Sequence, residues 1–170
     1  MILLRVRGIR VETWDAFATI AGGAAGALTG LLFVAVSIRA DYIARSQELR
    51  NRAAQTLILF GTVVVIAVLM AIPGQGYRTL GAELLALAVI IGAGLAILDR
   101  RAKASRSNQA IAQVLEAVTP NAVTSVLLLA AGIILVLGVS AGLYVLVAPV
   151  LTALVGGVVS AWLFLTKVIE

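Results

Sequence analysis

The fold of this chain is decided by residues 117–166, which read AVTPNAVTSVLLLAAGIILVLGVSAGLYVLVAPVLTALVGGVVSAWLFLT and contain no charged side chain in 50 positions. A transmembrane α-helix needs about 20 predominantly apolar residues to cross the hydrocarbon core of a bilayer. The run is therefore too long for one span and long enough for two. The small and polar residues 138–142 mark the expected turn, so the pattern predicts helices over about 122–140 and 143–167.

Two further charge-free runs lie upstream, at residues 16–38 and 53–77, and each is long enough to span a bilayer. They predict helices over about 14–38 and 54–73, the second of which ends at a Pro-Gly pair. The first run is longer than the roughly 7–15 apolar residues of a cleaved signal peptide, so we expect it to be retained.

A third upstream run is shorter and places an acid inside the membrane. Only 15 residues separate Glu83 from Asp99, and as a helix they cover roughly 22 Å of a core about 30 Å thick. The helix must therefore begin earlier, which predicts a span over about 79–98. Glu83 then lies within the span, about one turn from its end.

Composition agrees with a polytopic, all-α integral membrane protein whose five spans form a single transmembrane domain over residues 1–170. Apolar residues make up 62% of the chain and charged residues 12%, against about 45–50% and about 25% in soluble domains. The mean hydropathy is +1.11. These values exclude a soluble enzyme and a disordered chain, and they argue against a nucleic-acid partner despite the net charge of +5.

The missing residue types exclude most catalytic chemistry. The chain has no Cys and no His, so thiol catalysis, disulfides, thiolate or imidazole metal sites and Ser-His-Asp sites cannot be built. A membrane enzyme would have to rely on Asp15, Arg78 and Glu83. We therefore expect no catalytic residues, no metal and no cofactor.

The basic residues indicate the orientation in the membrane, because cytoplasmic loops carry an excess of Lys and Arg. The connections after the first and third helices carry four basic residues each, the connection after the second carries one, and the connection after the fourth carries none. The pattern predicts an outside N-terminus and a cytoplasmic C-terminus, although the three arginines within the first ten residues oppose it. Trp14, Tyr77 and Tyr144 then fall at outer helix ends, where aromatic side chains anchor spans.

One cytoplasmic segment has an amphipathic pattern. Residues 108–119 place Ile111, Val114, Leu115 and Val118 on one helical face. They predict a short helix lying on the membrane surface, ended by a proline.

The first helix carries a row of small residues. Gly22, Gly26 and Gly30 recur every four residues, and Ala18 extends the row. Helices associate in lipid through close contact across small residues, so the row predicts a helix-packing interface. Its partner is either another helix of the same chain or a second copy in a homo-oligomer. Sparser rows occupy residues 88, 92 and 96 and residues 153, 157 and 161.

Glu83 is the candidate ion or proton site. An ionisable residue inside a membrane span is by default a functional hypothesis with a partner to be named, and the candidates are Arg78, Asp15 and Arg10. In the alternative, Glu83 occupies the first turn of its helix, where the helix dipole favours an anion, and extends to the lipid headgroups.

Six segments carry a resemblance to known proteins: Trp14–Phe17, Gly22–Ala25, Leu28–Ala35, Gly81–Leu85, Gly142–Tyr144 and Ala161–Trp162. Together they resemble a group of small, uncharacterised bacterial membrane proteins that are sometimes labelled modulator of FtsH protease. The resemblance runs over most of the chain and consists mainly of small and apolar residues. It implies a protein of the bacterial inner membrane and supplies no activity.

These features predict a small, self-associating inner-membrane protein that acts as a pore or transport-type module for a small ion or solute. The alternative is a non-transporting regulator or assembly partner of a larger membrane protein, such as a membrane protease. In either case the lipid bilayer is the immediate environment of the chain.

Overall fold

The computed structural model describes residues 14–38, 40–104 and 120–167, and within them the chain forms helices and connections only. The helices are α1 (Asp15–Ile38), α2 (Ala40–Arg45), α3 (Gln47–Met70), α4 (Tyr77–Ala104), α5 (Pro120–Val136) and α6 (Gly142–Lys167). The expected all-helical fold is confirmed. The surface helix predicted over 108–119 and the candidate partner Arg10 lie outside the described residues.

Four helices are long and apolar enough to cross a membrane, over Asp15–Ile38, Leu49–Met70, Tyr77–Gly94 and Gly142–Trp162. The fifth long helix, α5, is apolar over Asn121–Val136 and shorter than the others. Its 17 residues are about 25 Å long at 1.5 Å per residue. That length is at the lower limit of what spans a bilayer.

α3 begins earlier than the apolar pattern predicted, because a serine caps it. The Ser46 hydroxyl accepts a hydrogen bond from the Leu49 backbone N–H over 3.4 Å, and Ser46 itself has extended dihedral angles. This is the usual arrangement at a helix N-cap. The helix therefore starts at Gln47, seven residues before the predicted span, and its first two turns contain charged residues.

The turn between α5 and α6 follows from one glycine. Gly138 has a φ of 82°, a left-handed conformation that costs other residues about 1 kcal/mol or more. Its N–H donates to Leu135 O, and the Val139 N–H donates to Ile134 O. This pair of bonds is the Schellman motif that ends many helices. α5 consequently stops at Val136, four residues before the predicted boundary.

The order in which the helices pack differs from their order in the chain. α4 packs against α5, α5 against α6, and α6 against α3, while α3 also contacts α4. These four helices close a ring. α1 packs on α3, makes only slight contact with α6 and lies outside the ring.

One end of the bundle gathers the starts of α1, α4 and α6 and the ends of α3 and α5. There the ring centroids of Trp14 and Tyr144 are 4.9 Å apart, and Gly81 lies against Val136. We call this the Trp14 end. The opposite end, where α5 begins, is called the Asn121 end.

The core between the two ends is apolar and contains side chains from all five long helices. Representative fully buried residues are Ala25 of α1, Val63 of α3, Leu84 of α4, Ala131 of α5 and Leu146 of α6. Along each helix the buried positions recur at three- and four-residue spacing, which is the period of one helical face.

Candidate functional site

The small-residue row of α1 is divided between two surroundings. Ala18 is buried, and a Cβ added to Gly22 would lie 2.8 Å from the Cβ of Ala67 on α3. Gly26 and Gly30 are exposed, and a Cβ on either would have no described residue within 4 Å. The half of the row formed by Ala18 and Gly22 therefore packs within the chain, whereas the half formed by Gly26 and Gly30 faces away from it.

Helix geometry explains the division. Residues four apart on an α-helix are 400° apart, so a row of that spacing rotates by about 40° at each step. From Ala18 to Gly30 the rotation sums to about 120°. The face that α1 buries against α3 instead follows Ala18, Ala21, Ala25 and Leu32.

A backbone contact between α4 and α5 depends on two glycines outside any predicted row. A Cβ on Gly81 would lie 2.6 Å from the Val136 nitrogen and 2.9 Å from the Gly132 carbonyl oxygen. Such distances are essentially never observed for real Cβ atoms, so only glycine permits this approach. Sequence reasoning missed the pair because the residues four positions to either side of each glycine are large.

One glycine of a predicted row does form a contact within the chain. A Cβ on Gly157 of α6 would lie 2.4 Å from Cε1 of Phe60. The Phe60 ring is 1% exposed and occupies the space that the missing side chain leaves. This contact joins α6 to α3 within the ring of four helices.

Glu83 has a hydrogen-bond partner that sequence reasoning did not consider. It lies six residues into α4 and is half-buried. Gln75, in the connection between α3 and α4, donates from Nε2 to Glu83 Oε2. The connection therefore folds back over the first turns of α4 and presents an amide to the carboxylate.

The other two residues of the predicted ion site lie in different surroundings. Arg78 is exposed, and its guanidinium lies beside the α5–α6 turn, with Nε 3.6 Å from the position of a Cβ on Gly138. Asp15 is exposed in the first turn of α1, the helix outside the ring. The hydrogen bond that defines the surroundings of Glu83 comes from neither of them.

Buried polar atoms without a hydrogen-bond partner occur at both ends of the bundle. Gln75 Oε1 and the Tyr77 hydroxyl are at the Trp14 end, and Asn121 Oδ1, Thr124 Oγ1 and Ser125 Oγ are at the Asn121 end. Asn121 and Thr124 are 6% and 2% exposed. Buried polar groups are normally paired, so each orphaned atom calls for an explanation.

The aromatic residues of the Trp14 end contact one another. Trp14 makes edge-to-face contacts with Phe17 and with Tyr144, at centroid distances of 5.7 Å and 4.9 Å. Edge-to-face geometry is favourable for aromatic pairs. The contact with Tyr144 fixes the start of α1 to the start of α6.

Within the described ranges, no group of three or more His, Cys, Asp or Glu side chains could hold a metal ion. Comparison of the chain with protein-family models, with curated proteins and with solved structures found no match.

Proposed function

We propose that this chain is a bacterial inner-membrane protein with five transmembrane helices, its Trp14 end outside and its Asn121 end in the cytoplasm. Four long apolar helices support the proposal. The sequence adds that the two connections richest in Lys and Arg follow α1 and α4, which both end at the Asn121 end. Positive charge concentrates on the cytoplasmic side of membrane proteins.

The protein self-associates through the exposed face of α1 in this proposal. The observation that carries it is the open surface at Gly26 and Gly30, on a helix that only α3 covers extensively. A neighbouring helix could approach this surface backbone to backbone, as α5 approaches α4 at Gly81. Such approach through small residues is the usual basis of helix association in lipid.

The assembly transports a small ion or solute, and Glu83 belongs to the entrance on the outer side. Glu83 is half-buried in α4 and hydrogen-bonded to Gln75. The described core of one protomer is filled by apolar side chains such as Val63, Leu84 and Leu146. Because the described core holds few buried polar side chains, the proposal places the transport path between protomers.

Single-cysteine cross-linking tests the assembly cleanly, because the natural chain contains no Cys. Ala27→Cys puts a thiol on the exposed face of α1, and the matched control Val126→Cys puts one on an exposed position of α5. A disulfide requires Cα atoms within about 7 Å. We expect oxidation in native membranes to give a homodimer with Ala27→Cys and monomer with Val126→Cys.

The second candidate function is a non-transporting regulator or assembly partner of a larger membrane protein, such as a membrane protease. The same open face of α1 favours it, since a helix of another protein would fit there as well. A cross-link from Ala27→Cys to a larger protein, without the homodimer, would support this candidate and contradict self-association.

Flux measurements test the transport step. The purified full chain in liposomes should dissipate an imposed ion or proton gradient, and Glu83→Gln should reduce the rate by about tenfold or more, as expected for loss of a functional intramembrane acid. Unchanged flux in Glu83→Gln would remove Glu83 from the path. Flux no higher than that of protein-free liposomes would contradict transport altogether.

A further inference from the structure

The partner of Glu83 is a neutral amide, and this distinguishes the site from the ion pair that the sequence suggested. Gln75 Nε2 donates a hydrogen bond to Glu83 Oε2, while Gln75 Oε1, on the same amide group, is buried without a partner. An arginine offers donors only, so it suits a carboxylate and opposes a carboxylic acid. A glutamine offers both donors and an acceptor.

An amide can therefore satisfy both protonation states of the carboxyl group. The carboxylate of Glu83 accepts the N–H of Gln75, as observed. When a proton binds, the acid has an O–H to donate, and a half-turn of the Gln75 amide about its last bond brings Oε1 into position to accept it. The proton adds to one carboxylate oxygen, one N–H···O bond breaks, and one O–H···O bond forms.

The donor set does not suit a metal ion. Ca²⁺ takes about six to eight oxygen ligands and Mg²⁺ about six, whereas the described residues hold no cluster of three or more acidic ligands. Gln75 and Glu83 together bring one amide and one carboxylate to the site, fewer protein ligands than a dedicated Ca²⁺ site supplies.

Among the described residues, other charges near the site are few. α3 has no ionisable residue after Arg52, the connection at residues 71–76 has none, and α5 has none along its length. On α4 itself Tyr77 and Arg78 precede Glu83, and Arg78 lies beside Gly138. The starts of α1 and α6 at the Trp14 end add Asp15 and Tyr144.

We propose that Glu83 and Gln75 form a proton-exchange site at the Trp14 end, in which the Gln75 amide turns to follow the protonation state of the carboxyl group. The inference rests on the proposed insertion of α4 in a membrane and names the proton as the species taken up there.

Carbodiimide labelling tests this site without relying on transport or self-association. Dicyclohexylcarbodiimide adds to protonated carboxyl groups, and in water-poor surroundings the adduct rearranges to a stable acylurea that mass spectrometry detects. The full chain in lipid nanodiscs should acquire one such label, on Glu83. The label should be lost in Glu83→Gln and should not be reduced by Na⁺, K⁺, Mg²⁺ or Ca²⁺ at constant ionic strength.

Two variants identify the partner. Gln75→Arg replaces the amide with a group that offers donors only, so the protonated acid has no acceptor there and labelling should fall about tenfold or more. Arg78→Gln is the matched control and should label like the natural chain. A circular-dichroism spectrum of each variant shows whether the helices are retained.

The possible results separate the proposals. Absence of label on the natural chain, protection by a metal ion, or a change in Arg78→Gln as large as that in Gln75→Arg would each overturn the proton site. Labelling without measurable flux would retain the proton site and contradict transport. Flux through a chain that takes no label would retain transport and contradict the proton site.

Discussion

Two glycine-containing surfaces of this protein have opposite surroundings. On α1 the glycines form a regular row that the sequence displays clearly, yet a Cβ on Gly26 or Gly30 would meet none of the described residues within 4 Å. Between α4 and α5, Gly81 and Gly132 belong to no row, and there the two backbones touch. Row glycines such as Gly22 and Gly157 also pack within the chain, so a regular small-residue pattern does not by itself tell which glycines form contacts inside the protein.

Gly81→Ala should cause the largest loss of stability among changes at these surfaces. The added Cβ would lie 2.6 Å and 2.9 Å from backbone atoms of α5, which cannot rotate away as a side chain can. The helices must separate, so we expect the free energy of unfolding to fall by about 3 kcal/mol. Equilibrium unfolding in mixed detergent micelles measures the change.

Gly92→Ala on the same helix is the control for Gly81→Ala. A Cβ at position 92 meets none of the described residues within 4 Å, so this variant should gain about 0.5–1 kcal/mol from the better helix propensity of alanine. Equal stability of the two variants would contradict the close contact between α4 and α5.

Gly157→Ala should have the next largest effect. The added Cβ would meet Cε1 of Phe60 at 2.4 Å, but a ring can tilt where a backbone cannot. We expect a loss of about 1–2 kcal/mol in the free energy of unfolding, typical of an overfilled core. Equilibrium unfolding in mixed detergent micelles measures this change in the free energy of unfolding.

A second substitution isolates the cause of that loss. Phe60→Leu should be less damaging in the Gly157→Ala background than in the natural chain, because the smaller side chain relieves the overlap. Strictly additive losses in the double variant would show that the two residues do not interact.

Gly22→Ala tests the buried half of the α1 row. Its Cβ would lie 2.8 Å from the Cβ of Ala67, a side-chain atom of α3, and α1 itself lies outside the ring of four. A small shift of α1 relieves the overlap, so the expected loss is about 1 kcal/mol. The unfolding assay should show a loss here, and a gain would place α1 further from α3 than the structure has it.

Gly26→Leu tests the exposed half of the row and should have the smallest effect on folding. The position is open, so the free energy of unfolding should rise by about 0.5–1 kcal/mol as the helix loses a glycine. The same change should greatly reduce the disulfide dimer formed by Ala27→Cys, because leucine blocks close approach of a second helix. An unchanged dimer yield would contradict self-association through this face.

The helical fold and the four long apolar helices were predictable from the sequence, because a charged side chain within hydrocarbon is unfavourable and the lengths of the charge-free runs therefore limit the spans. The turn near Gly138 was also marked by its small residues. Helix ends were less predictable. Ser46 starts α3 through a hydrogen bond between its hydroxyl and a backbone N–H, which hydropathy does not register.

The candidate site was predictable only in part. The shortness of the third charge-free run identified Glu83 as the acid within a span, and this needed nothing beyond the counting of residues. Its partner was not predictable. Gln75 is eight positions away and reaches Glu83 only because the connection after Pro73 folds back over α4, whereas the charged Arg78 lies beside Gly138.

The sequence by itself determined which segments are helical and which acid lies among apolar residues, because both depend on local composition and on the fixed rise of an α-helix. The tertiary structure decided which glycines allow contact and which group faces Glu83. Those outcomes depend on how each helix is rotated about its axis and where it crosses its neighbours. Rotation and crossing are set by all the buried side chains packing together, such as Leu84, Ala131 and Leu146.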